Sequence, residues 1–184
     1  LAGIYIVTRD PVRTAQKQMA DGKDLEAIAT LSRHIDKNDG DERALELRGE
    51  LHFKTNQFPR AAQDFELATN IDAKNVGAAM WGVAALHSMS GNQLDRQIAL
   101  LDKVVKVDAQ NTQAWYLLSL ARSANRDTAG QMEALNRVIE LDGGHAGAHL
   151  GLGIAMAFTG NLDGAATEVA TAAQANQNGN LASV

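Results

Sequence analysis

The sequence predicts an all-α chain, a tandem array of about five helix–turn–helix units stacked as an α-solenoid. Three observations predict it. A large residue or Pro recurs at Pro11, Leu45, Met80, Trp115 and His149, at intervals of 34, 35, 35 and 34 residues. Four residues after each comes a small one, Ala15, Gly49, Ala84, Ser119 and Gly153, which lets two helices approach closely. Gly or Asn punctuators, at Gly22, Asn56, Gly91 and Gly160, break apolar-periodic stretches in two.

The elements follow from that grid. The first unit runs through Pro11 and Ala15, turns at Gly22 and continues through Leu31 and His34. In the second, a helix is expected from about Glu42 to Thr55 and another from about Pro59 to Ile71, with Pro59 in the first turn, where its missing N–H has no partner to lose. The second helices of units two to five place Phe65, Leu101, Leu135 and Val169 three residues before Ala68, Val104, Val138 and Ala172, so each pair shares a face. Units two to four end alike, in Ile71-Asp72-Ala73-Lys74-Asn75, Val107-Asp108-Ala109-Gln110-Asn111 and Leu141-Asp142-Gly143-Gly144-His145, all helix stop signals. Around Val76–Trp81 one extra residue lets either Met80 or Trp81 take the buried large position. Met80 is preferred, because Ala79–Gly91 then matches Ala148–Gly160 without gaps, and Trp81 turns outward.

Composition narrows the function. Seventeen Lys plus Arg against 22 Asp plus Glu give a charge of -5 with no basic run, so the electrostatic footprint of a nucleic-acid binder is missing. With no cysteine, disulfides, thiolate metal sites and cysteine nucleophiles are excluded. Hydrophobic residues make up 45% but aromatics only 4%, so the interior must be built from Ala, Leu, Ile and Val.

A period near 34, a large residue followed by a small one, then Ala61-x-x-x-Phe65 and Ala68 in the second helix, resembles the tetratricopeptide repeat (TPR) family; Leu45, Gly49, Phe58, Ala61, Phe65 and Ala68 carry the best match. The likeness covers residues 9–174. It departs where the usual Pro after the second helix is Ala73, Ala109 or Gly143, and where Gln97 and Gln131 replace a small Ala. The resemblance implies a right-handed superhelical array whose first helices line a concave groove for a protein or peptide segment. Carried over residue by residue, the groove comprises Glu46, Glu50, Phe53 and Lys54 in unit two, and Trp81, Ala85, Ser88 and Met89 in unit three. In unit four it is Tyr116, Leu120, Ser123 and Ala124, and in unit five Leu150, Ile154, Ala157 and Phe158. The groove is thus expected to pass from charged to apolar, and its ligand to be amphipathic along its length. Coverage by the chain's own Leu1–Val7 or by a second copy is the alternative occupant.

No enzymatic constellation assembles, and neither catalytic residues nor cofactors are expected. His145 and His149, at i and i+4, form half a zinc site without a third ligand. His52 and His87 are read as equivalent packing residues, Gly143–Gly153 as close-packing glycines, and the acids of units one and two as a solvated face, with Glu50 to Lys54 at salt-bridge spacing. Residues 1–8 form an apolar segment much shorter than the ~20 residues of a complete membrane span. It is read either as the remnant of a membrane anchor or as a plain terminal segment. Residues 175–184 are expected to form a polar, unstructured tail, leaving an Ala-rich last helix, with Ala165, Ala166, Val169, Ala170 and Ala173, uncapped. The expected function is a scaffold or chaperone-like adaptor, in bacterial envelope assembly if tethered in the periplasm; a cytoplasmic setting is the alternative. The alternative function is a structural subunit that self-associates through the groove and last helix.

Overall fold

The computed structural model describes residues 10–181, with side chains through Asn176. The apolar segment expected at 1–8 lies outside them. Among the described residues there are ten helices: α1 (Pro11–Ala20), α2 (Asp24–Ile35), α3 (Glu42–Lys54), α4 (Phe58–Ile71), α5 (Val76–His87), α6 (Leu94–Val107), α7 (Thr112–Ala124), α8 (Thr128–Leu141), α9 (Ala146–Phe158) and α10 (Leu162–Leu181). The fold is an all-α helical-repeat solenoid. It divides into an N-terminal half, 1–91, and a C-terminal half, 92–184. No helix among the described residues is long and apolar enough to cross a membrane.

The five-residue ends of the repeats are more than stops. Asp72, Asp108 and Asp142 each turn a carboxylate back onto the backbone N–H two residues on, at Lys74, Gln110 and Gly144. The last residue of each run then caps the next helix, with Asn75, Asn111 and His145 accepting from the N–H of Ala78, Ala114 and Ala148, as Asp41 does from Ala44. One short segment therefore ends one helix and starts the next, supplying partners that helix termini otherwise lack. Inside the repeats the turn needs a left-handed residue. Gly22, Gly91 and Gly160 supply it, and Asn56 (φ 58°) and Arg126 (φ 61°) do so without a glycine's freedom.

These caps correct the register in the third repeat. Counting from the caps, the position four residues in is Leu45, Ala79, Trp115 and His149, and the position eight in is Gly49, Val83, Ser119 and Gly153. Ala79, not Met80, is the residue in the buried column, and Val83, not Ala84, takes the close-approach place. The extra length lies in the connection between α5 and α6, which spans 88–93, where the other within-repeat turns are shorter. Anchoring on Gly91 moved the whole of α5 by one residue. His52 and His87 are therefore not equivalent: His52 is buried, whereas His87 is exposed.

Each half has its own interior. In the N-terminal half Leu31, Leu45, Leu51, Phe65 and Leu86 are fully buried. Gly49 is required there, because a Cβ on it would lie 2.9 Å from the Phe65 ring. In the C-terminal half Leu135, Val138, Ala148 and Leu152 form a cluster on which Trp115, Tyr116, Met132, Ile139 and Met156 pack. Gln97 and Gln131 are half-buried where the repeat pattern has Ala. The tail expected from 175 instead continues α10 as far as Leu181. Along α10, Ala165 and Ala172 are buried while Ala166, Val169, Ala170 and Ala173 are exposed, so Ala165 leaves the face on which it was expected.

Candidate functional site

Two surfaces carry the expected site residues, one in each half. In the C-terminal half, Leu120 of α7 and Leu150, Ile154 and Phe158 of α9 follow the 3.6-residue period on faces turned from the core, while Tyr116, one turn before Leu120, packs against the core cluster. Leu120, Leu150 and Ile154 are each about half exposed, and Phe158 is 84% exposed. Tyr116 is half-buried. Its ring lies 4.6 Å from that of His145, and its hydroxyl fills the space a Cβ on Gly147 would need, so it ties α7 to the start of α9. Ser123, Ala124 and Ala157 complete the exposed positions.

In the N-terminal half, Glu46, Glu50, Phe53 and Lys54 share one face of α3. Glu46 accepts from Asn75 at 2.7 Å and from Arg43 at 3.3 Å, and Glu42 also accepts from Asn75. Lys54 reaches Asp24 at 2.8 Å rather than Glu50. Trp81 is 46% exposed. Its ring centroid is 5.2 Å from Phe53, edge-on, and 6.1 Å from Phe65, stacked, while Phe53 also meets Phe58 at 5.3 Å. Two expected members fail. Ala85 has no exposed surface, because the corrected register turns it into the core, and Met89 lies beyond the end of α5, half-buried in the connection. The equivalent positions on α5 are Met80, Ala84, His87 and Ser88, so Trp81 too stands one residue off the expected column, although it is exposed. Met80 and Ala84 were missed, though the Asn-x-x-Ala cap at Asn75–Ala78 would have found them.

The acids of the N-terminal half are not simply solvated. Asp64 of α4 is buried and receives two hydrogen bonds from Arg48, at 2.6 and 2.9 Å, and Arg48 donates a third to Ser32. His52 stands beside this pair, its Nε2 3.8 Å from Asp64 and its buried Nδ1 without a hydrogen-bond partner. Burial holds the His52 imidazole below its ordinary pKa; Arg48 and Arg60 add to this and the Asp64 charge opposes it. On the rim, Asp41 is bound by His34 at 2.6 Å. Burial works against the Asp41 carboxylate, yet that bond and the Ala44 N–H hold it below its ordinary value.

His145 and His149 are both engaged within the fold. His145 caps α9, and His149 lies 2.6 Å from Glu168 of α10 through Nδ1 and 3.1 Å from the Gly143 carbonyl through Nε2. A carbonyl and a carboxylate only accept, so this pair of partners favours a proton on both ring nitrogens, the imidazolium form. Burial opposes that charge, but Glu168 and Gly143 hold the pKa above its ordinary value. Among the described residues no group of three His, Cys, Asp or Glu is placed to hold a metal.

Paired antiparallel helices, caps at a near-constant interval and a recurrent close-approach position in the first helices make the fold similar to that of tetratricopeptide repeat proteins. A model of the tetratricopeptide repeat family matches residues 133–180. The fold is similar to solved structures over most of its length. MamA is 16% identical, covering 89% of this chain and 95% of that one with a TM-score of 0.71. MamA 41-end from Desulfovibrio magneticus RS-1 is 20% identical, with coverages of 92% and 97% and a TM-score of 0.68. YrrB, described as a TPR protein with an unusual peptide-binding site, is 17% identical, with coverages of 90% and 84% and a TM-score of 0.73. No curated protein matches by sequence.

Proposed function

We propose that the protein is a non-catalytic interaction scaffold that captures a segment of a partner polypeptide on the faces of its first helices. The observation that carries this reading is the row of exposed Leu120, Leu150, Ile154 and Phe158 on α7 and α9. Packing does not need these side chains outside, and large apolar side chains exposed in such number mark an interaction site. Each contributes about 1.5–3 kcal/mol when covered, before ordering costs. The peptide-binding site in the description of YrrB, whose fold is similar, supports the same reading. The test is retention of a random-sequence peptide library on the immobilised chain. The Leu120→Ser/Ile154→Ser variant should retain far less at unchanged helicity by circular dichroism, and undiminished retention would sink the assignment.

A second reading, self-association, is favoured by α10, where Leu162 and Val169 are exposed on a helix poor in charge. Light scattering across concentration tests it, and a monomer at every concentration removes it. The finer role we propose is a chaperone-like adaptor in bacterial envelope assembly, drawing on the apolar run Leu1–Val7. Fractionation of cells expressing the native gene tests it: membrane association supports the role and a wholly cytosolic pool removes it.

A further inference from the structure

The acids around α3 are satisfied one by one. Asn75 donates to Glu42 and Glu46, Arg43 to Glu46, His34 engages Asp41, and Arg48 holds Asp64. Glu50 is the exception. It is half-buried, and among the described residues it takes part in no hydrogen bond or ion pair. Lys54, one turn further along α3 and at the right spacing to neutralise it, is held by Asp24 instead. Arg43 lowers the Glu50 pKa through space, but its guanidinium is bonded to Glu46. Burial accordingly pushes the Glu50 carboxyl above its ordinary value.

Its position on the helix gives this loose carboxylate a direction. Glu46 and Phe53 flank Glu50 on the same face, one turn to either side, and both reach α5, Glu46 through Asn75 and Phe53 through Trp81. Glu50 therefore stands on the side of α3 turned toward α5, in line with a half-exposed indole. A partly desolvated carboxylate on a face shared with the half-buried Phe53 and the half-exposed Trp81 is the surface that a guanidinium or ammonium group matches, through a charge-assisted hydrogen bond and a cation–π contact. Leaving such a carboxylate unpaired costs free energy that a bound cation recovers.

We propose that the α3–α5 face of the N-terminal half seats a basic side chain, Arg or Lys, of the captured polypeptide, with Glu50 as its counter-ion and Phe53 and Trp81 as its aromatic contact. This rests on the peptide-capture reading and names the partner's chemistry at one end. The partner carries a basic residue there, in addition to the apolar residues that the α7 and α9 faces select.

The test sequences the peptides that the whole chain retains from a random-sequence library. Arg and Lys should be enriched over Gln in the wild-type pool. Glu50→Gln, which keeps the shape, should weaken retention of those basic peptides about tenfold, and Glu50→Lys should shift the enrichment to Asp and Glu. Apolar enrichment should persist in both variants. A wild-type pool with no basic bias, or a bias that survives Glu50→Gln, overturns the inference while leaving peptide capture standing. Failure of wild type and both variants to retain any peptide overturns the inference and the capture reading together.

Discussion

Helices α3 and α9 hold the same place in their repeats, yet they meet solvent differently. Each is capped by the residue before its first turn, each buries the fourth residue after the cap, and each has a glycine eight residues after it. Outward, α3 presents Glu46, Glu50, Phe53 and Lys54, whereas α9 presents Leu150, Ile154, Ala157 and Phe158. The cores differ in the same sense. The N-terminal half contains the Arg48–Asp64 pair, its carboxylate buried, with His52 beside it, while in the last repeat Glu168 meets His149. The inward register of the repeat is fixed by close packing, and the outward register is free to take the chemistry of a ligand.

The buried pair gives the sharpest way to break this contrast. Asp64→Ala leaves the Arg48 guanidinium uncompensated and should cost about 3 kcal/mol, measured by urea unfolding. Glu168→Ala, at the more open contact of the last repeat, should cost clearly less. Equal losses would end the claim that the halves are stabilised differently.

The two close-approach glycines should behave alike. A Cβ on Gly49 meets the Phe65 ring at 2.9 Å, and one on Gly153 meets Val169 at 2.9 Å and the Ala165 carbonyl at 3.1 Å. Overpacking exceeds the helix-propensity gain, so Gly49→Ala and Gly153→Ala should each lose about 1–2 kcal/mol in thermal unfolding.

The buried histidines should respond to pH with opposite signs. His52 is held below its ordinary value of 6.5, so its contribution is present above that pH and is lost as pH falls through the folded value. His149 is held above 6.5, so its contribution is complete below that pH and is lost as pH rises through the folded value. Segment-resolved hydrogen exchange between about pH 5 and about pH 9 should show the α3–α4 pair loosening at the acid end and α9–α10 at the alkaline end. His52→Leu and His149→Leu should each abolish the trend of their own half.

The smallest expected effect concerns Arg126, the left-handed residue of the fourth turn. Arg126→Gly removes its conformational cost and should stabilise the chain by about 0.5–1 kcal/mol in chemical denaturation.

Most of this architecture is written in spacing. The repeat near 34 residues, the small residues and the turn glycines reflect steric demands that recur in every unit, so they survive as a period. The failure at Ala85 and Met89 has an equally physical cause. A lengthened connection at 88–93 broke the interval on one side of α5, and the glycine at its end was a weaker anchor than the cap at Asn75, which hydrogen bonds tie to Ala78 and α3. Contacts that depend on where a long side chain turns had no periodic trace. Lys54 takes Asp24 and leaves Glu50, and Asp64 meets Arg48 across two helices. The helical continuation of α10 had no trace in the sequence, because the stretch after Ala175 is rich in Asn and contains Gly179, both poor helix formers.

The claim that the first-helix faces receive the partner is tested most directly by site-specific photo-crosslinking. A photoreactive amino acid is placed at Ile154 on α9 and, separately, at the exposed Asn136 on the second helix α8, and each chain is irradiated with retained library peptides. Adducts at position 154 and none at position 136 are the predicted result. Adducts at 136 with none at 154 would contradict the account.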